Sequence, residues 1–452
     1  MSVARAQDSA LASVGGSVRT AGDQRSVTAP LIRLVRRLTT AVSEQGLFAG
    51  GNFVLNVTMA ATLPAVDYGA FVFAFTIFMI VAGLHNAVIL EPATVLRTTL
   101  YDTQPARYCR AQVILHAAVM VILGGALAIV GVALFASGAA PSVGRTLLAA
   151  GLASPVILLY WLGRRFVYVR QRPTTALAGG IIYFATLTTV TLAARASGRL
   201  SAPAGFLILA IAGASAAIVL LTRAGVFGSR EAETERLSLR ELAVERWAYG
   251  RWLIGAVCIE SAIVPGLTLA TTLLLGLGAV GVLRAMQVFA VPVGHVVAAV
   301  SALVLPSLSR DFQRGRLSAL RIKTNRVIAT VVAGAVLFEV ALALLHTPLE
   351  RLVYGQKFAD YAFLIPIVGA ATLLDGTSAT YTMLLSAVQR PRLHLASVAL
   401  TVPVTLIAAL VCMSLWGITG AAITLVLTSA TSLAIRRRLA AQWLRGPVAA
   451  MS

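Results

Sequence analysis

Between Gly276 and Pro306 an almost wholly apolar run carries four residues that do more than pack: Arg284, Gln287, Pro292 and His295. The run is longer than the roughly 20 residues a helix needs to cross a bilayer. Arg284 and Gln287 are one turn apart, and His295 falls two turns further along the same broad side. A guanidinium in hydrocarbon is costly, so this side is expected to line a watery cavity, with all three residues as substrate contacts. The rival reading has Arg284 snorkelling to the interface, since it stands about two turns from the expected helix start.

Three carboxylates also fall inside apolar runs: Glu260, Glu339 and Asp375. Buried carboxyls are natural proton carriers, so these are candidates for ion coupling; the plainer alternative is a protonated carboxyl bridging two helices. Asn52 and Asn56 stand four apart on one helical face, where they suit sugar hydroxyls or an interhelical hydrogen bond. His85 reads as a packed helix contact more readily than as a switch. Asp67 reads as turn chemistry, and Glu91-Pro92 as a helix stop. Tyr160, Trp161, Trp247, Trp252 and Trp416 read as interface anchors. Pro265, Pro292, Pro366 and Pro403 interrupt apolar runs and permit bending.

The motifs of several function classes are missing. No HExxH, Walker A, GxSxG or GxGxxG pattern appears, so neither an ATP-driven pump nor a familiar hydrolase is expected. Cys109, Cys258 and Cys412 are scattered, which argues against a disulfide framework or a metal site, and no cofactor is expected.

The elements that must position these residues are membrane helices. Of 452 residues 58% are hydrophobic and only 12% charged, a composition no soluble domain needs. Residues 1–30 lack an apolar core and read as a polar tail rather than a signal peptide. Residues 31–46 have Leu31, Leu34, Val35 and Leu38 on one stripe with Arg33, Arg36 and Arg37 off it, as in a helix lying on an anionic membrane surface. Twelve spans follow, near 47–66, 69–90, 112–136, 145–163, 175–194, 203–222, 252–274, 278–306, 327–346, 361–386, 393–414 and 417–435. With the N-terminus inside, only Arg145, Arg195, Arg199, Arg351 and Lys357 fall outside, and every other cation except Arg284 falls inside. That asymmetry predicts both termini in the cytoplasm. It also accounts for the net charge of +20 without nucleic acid.

A polar stretch at 223–251 divides the chain into a lobe of six helices at 46–222 and another at 252–438, flanked by tails at 1–45 and 439–452. The halves are faintly alike. Gly69 to Pro92 and Gly281 to Pro306 each open with glycine after a tight turn and close with proline. Such repeats commonly place a substrate at their interface.

Several stretches resemble one family. They are DYGAF at 67–71, WAYGRWLIG at 247–255, GAVGVLRAMQVFAVPVG from residue 278, LVYGQKFADYAFLIPIV at 352–368 and WGITGAAITLV at 416–426. In this order on twelve spans they resemble the Wzx-like oligosaccharide flippases of the multidrug/oligosaccharidyl-lipid/polysaccharide exporter superfamily. The resemblance implies an all-α membrane protein with two six-helix lobes around a cleft that opens alternately to either side of a bacterial inner membrane. The implied substrate is a polyprenyl-pyrophosphate-linked oligosaccharide for O-antigen or exopolysaccharide. Implied partners are membrane lipids, a polysaccharide polymerase and other biosynthesis proteins. A cavity guanidinium suits the pyrophosphate. Flippases of this kind commonly use several cavity cations, and here only Arg284 lies inside a span, so Arg97, Arg164 and Arg165 are expected to help at the mouth. Two other readings are an ion-coupled multidrug antiporter of the same superfamily, and a membrane polymerase or glycosyltransferase. The latter usually has a large outer loop; the longest here is near 347–360.

Overall fold

The computed structural model describes residues 28–93, 105–170, 172–227, 239–388 and 391–445. Twelve α-helices and no strand occur among the described residues. They are α1 (Thr28–Thr62), α2 (Ala65–His85), α3 (Pro105–Ala136), α4 (Pro141–Val169), α5 (Pro173–Ala196) and α6 (Ala202–Arg223). Then come α7 (Leu239–Ser261), α8 (Val264–Gln287), α9 (Val291–Gln313), α10 (Leu317–Tyr354), α11 (Leu364–Ala387) and α12 (Pro391–Arg445). Prolines open α4, α5, α6, α8 and α9, where the missing N–H is unneeded and the fixed φ suits the first turn. By length and composition, eight helical stretches among the described residues can cross a membrane.

Two bends reconcile these helices with twelve passes. α8 breaks at Gly276 (φ 83°) and α12 at Gly417 (φ 54°), so each of these helices is two arms. α7 and the first arm of α8 make the seventh pass. The second arm continues through a 3-10 turn at Val288–Ala290 into α9 and makes the eighth. α1–α6 pack on one another as one lobe and α8–α12 as the other, with the cleft between them, while α7 lies chiefly against the π-turn (Asn86–Leu90) that follows α2.

The lobes meet at two places. At the Gly276 end α2 lies against α8 with no side chain between their backbones. A Cβ on Gly69 would sit 1.8 Å from the Leu277 carbonyl oxygen, and one on Gly281 2.2 Å from that of Ala65. Lys357, in the turn after α10, donates to the carbonyls of Ala60 in the last turn of α1 (2.6 Å) and of Leu63 just beyond it. Burial holds its ammonium below the ordinary lysine range. At the opposite end α7 grips the tail of α2. There the fully buried Arg246 donates to Ile89 O (3.3 Å) and to the Tyr108 hydroxyl (2.6 Å).

Several expectations are corrected. Residues 31–46 are not a separate interfacial helix but are continuous with the first span in α1. Glu91-Pro92 does not stop α2. The chain passes into a π-turn at Asn86–Leu90 and stays helical through Ala93. Registers wider than α are a usual way to absorb a local irregularity. Of the 223–251 linker, residues 228–238 lie outside the described residues and 239–251 already belong to α7. Tyr160 is no interface anchor: it is fully buried, stacked on Tyr183 at 4.7 Å. Trp247, Trp252 and Trp416 are exposed.

Candidate functional site

The site is built where α1 and α2 face α8 and α9. The bend at Gly276 re-aims the second arm of α8 across the cleft, and its last turn carries Arg284 and Gln287. Arg284 Nη1 donates to Gln287 Oε1 at 3.5 Å, a long contact that leaves most of the guanidinium's donors for another partner. Tyr68 and Tyr354 lie within electrostatic reach of the same guanidinium.

Two cavities share Arg284, Asn56, Phe75 and Met79. The first, about 340 Å³, adds Thr76, Thr268, Thr271 and Gln287 among apolar side chains. The second, about 240 Å³, adds Asn52, His295 and the rings of Phe48, Phe53, Phe78, Trp161 and Tyr183. The five residues expected to contact substrate therefore line one continuous region, drawn from both lobes. They are not equally free. Asn52 Nδ2 donates to Phe48 O (2.7 Å) and Asn56 Nδ2 to Asn52 O (2.8 Å), so each amide is partly engaged by its own helix. His295 belongs to α9, beyond the 3-10 turn, and is exposed at the rim of the second cavity. Trp161, expected at the membrane interface, lines that cavity instead.

The mouth arginines fare differently. Arg97 lies outside the described residues. Arg164 is committed: its Nε is 2.7 Å from the buried Glu44 carboxylate, its Nη2 donates to Gln45, and its guanidinium lies over the Phe48 ring at 4.6 Å. It orders one cavity wall through Phe48.

The three carboxylates separate. Glu260 and Asp375 line a third cavity of about 230 Å³ inside the second lobe, together with His394, Arg436, Thr401, Thr428 and Ser429. His394 Nε2 is 3.6 Å from Glu260 Oε1. Arg436 donates to Ser397 Oγ (3.3 Å) and Ser378 Oγ (3.1 Å). Glu339 is elsewhere: its carboxylate lies against Gly369 of α11, with Oε2 unpartnered. Thr76, Thr268, Thr271, His394 and Arg436 were not singled out by sequence. Each is ordinary alone, and only their meeting across α2, α8 and α12 distinguishes them.

No protein-family model and no curated protein matches the chain by sequence. Solved structures do resemble it. A lipid II flippase, MurJ, in an inward closed conformation superposes with a TM-score of 0.69 at 14% identity, over 90% of this chain and 87% of that one. The MATE multidrug transporter DinF-BH gives 0.66 at 16% identity over 93% and 98%. An inward-facing multidrug resistance MATE family transporter of the MOP superfamily gives 0.66 at 12% over 87% and 94%. At such identities the likeness is one of architecture: this chain has the two-lobed, twelve-helix fold of these transporters.

Proposed function

We propose that the chain is a transporter of the MOP superfamily, of the Wzx-like kind. It moves a polyprenyl-pyrophosphate-linked oligosaccharide from the cytoplasmic to the outer leaflet of a bacterial inner membrane by alternating access of its lobes. The observation that carries this reading is the placement of Arg284 between two cavities of different chemistry. A guanidinium offers paired donors to a pyrophosphate. The threonine- and amide-bearing cavity on one side suits sugar hydroxyls. The aromatic cavity on the other suits rings and isoprenoid, and it lies between α1 and α9, which touch far less than α2 touches α8. The tail is thereby able to remain in lipid while the head crosses. Glu260 and Asp375 are the better ion-coupling candidates because they share a cavity; Glu339 stands apart.

The multidrug antiporter remains the second reading, favoured by the MATE likeness and by that acidic cavity. Against it stands the lining of the two cavities around Arg284, which includes that guanidinium and no carboxylate and so repels a cationic drug. The enzyme reading has no observation in its favour.

The deciding experiment is on a strain depleted of this protein, in which polyprenyl-linked oligosaccharides are extracted and their leaflet is read with a membrane-impermeant sugar-modifying enzyme. Complete units accumulate on the cytoplasmic side, and wild type relieves this while Arg284→Ala does not. A lost charge-assisted contact of about 1.5–3 kcal/mol weakens substrate binding roughly 10- to 150-fold. Accumulation on the outer side would point to polymerisation instead. No accumulation, with raised sensitivity to cationic dyes, would point to the antiporter.

A further inference from the structure

His85 ends α2 one residue before the π-turn, and it is not alone. Its Nε2 lies 2.8 Å from Nδ1 of His116 on α3, with the rings edge-to-face at 85°. His116 Nε2 lies 3.0 Å from the Pro155 carbonyl of α4. The partners assign the protons. A carbonyl only accepts, so His116 Nε2 carries hydrogen and His116 Nδ1 is an acceptor. His85 Nε2 must then be the donor, and His85 Nδ1 is left as a bare lone pair. That atom is buried without a partner, on a residue with no exposed surface. One turn before His116, Gln112 is equally buried, with neither amide atom partnered.

We propose that His85 and His116 form a proton-binding site inside the first lobe, taking up one proton at His85 Nδ1 and thereby loosening the grip of α7 on α2. The balance is simple. The proton adds to the free lone pair, no hydrogen bond has to break, and His85 becomes an imidazolium still donating to His116. The chain of donors ends on a carbonyl, which holds no proton, so the pair stores a proton and does not conduct it onward.

Few charged or titratable groups surround the pair. On α3, Cys109 and Arg110 lie about two turns from His116, and Arg110 donates to Val226 O. On α7, Arg246 is bound to Ile89 O and Tyr108. α4 offers the Pro155 carbonyl, while its Arg164 is paired with Glu44. Glu91 lies beyond the π-turn on the same helix, and Arg284 of α8 lies in the cleft. No carboxylate among the described residues bonds either ring. A charge there is uncompensated in this closed arrangement, so protonation favours a state in which the site opens. The mechanical route is short. The π-turn beginning at Asn86 is the segment α7 holds, with Gly250 against Ala87 and Val88, and Arg246 on Ile89.

The test uses the full chain in lipid nanodiscs without substrate, so its failure is separate from that of the substrate assignment. Spin labels at Phe227 and Arg314, exposed beyond α6 and after α9, report the separation of the lobes at the α7 end. Lowering the pH from 8 to 5 moves the population away from the closed distance, by up to ten-fold per pH unit for one proton. His85→Asn abolishes the response, whereas His116→Gln, whose amide oxygen still accepts from His85 Nε2, keeps it, as does the control His346→Gln at a half-buried position on α10. Imidazole nitrogen spectra of the wild type provide a second readout that needs no variant, since one of the paired rings must titrate in step with the distance change. A response intact in His85→Asn, or two rings that stay neutral throughout, overturns the proposal.

Discussion

The contact between α2 and α8 at the Gly276 end sets how readily the cleft opens there, and one methyl group should measure it. Replacing Gly281 with Ala puts Cβ 2.2 Å from the Ala65 carbonyl oxygen and 3.0 Å from Gly69 N. Ordinary contact needs about 3.5 Å, so the backbones must part by roughly 1 Å or more, and both partners are main chain with no rotamer to yield. Overpacking of this kind costs about 1–3 kcal/mol. The cost falls only on the arrangement in which the helices touch, so it converts to a roughly five- to 150-fold shift toward the state open at that end. Spin labels at Ser137 and Ser414, exposed beyond α3 and before the Gly417 bend, would read the shift in a cysteine-free background. Gly294→Ala is the control, because nothing lies within 4 Å of its Cβ. A Gly281→Ala distance distribution superimposable on wild type, in a protein that melts normally, would refute the view that this backbone contact is a gate.

Two further outcomes concern the frame of the molecule. Glu44→Ala should cost about 3–5 kcal/mol, because it leaves Arg164 nearly buried and unpaired; thermal unfolding in detergent reads the loss. Glu44→Gln, which still accepts from Tyr168, should recover part of it. Asp311, beyond the span that α9 continues, is held below the ordinary aspartate range chiefly by its hydrogen bond from Lys323. A depressed folded pKa means the contribution is present above the unfolded value near 3.8 and lost as pH falls through the lower, folded one. Melting between pH 6 and pH 2 should thus show an acid-side decline in wild type that is smaller in Lys323→Met.

That this is a polytopic helical membrane protein follows from the order of residues alone. Length and apolarity are local properties, and a charge inside an apolar run is visible without any partner. Arg284 and Gln287 were legible as a pair for the same reason, since helical period alone sets them one turn apart. Which distant residues meet is a matter of how the helices pack. Asn52 and Asn56 come to Arg284 from the other lobe, and the Gly276 bend that aims Arg284 is a backbone conformation glycine permits but does not announce. Glu260 of α7 and Asp375 of α11 reach one cavity walled largely by α12, while Glu339 of α10 packs its carboxylate against Gly369 of α11 instead. His85 read as a lone packed histidine because its partner is 31 residues on, in another helix. Hydrophobic period places a side chain on a face; only packing between helices says what that face meets.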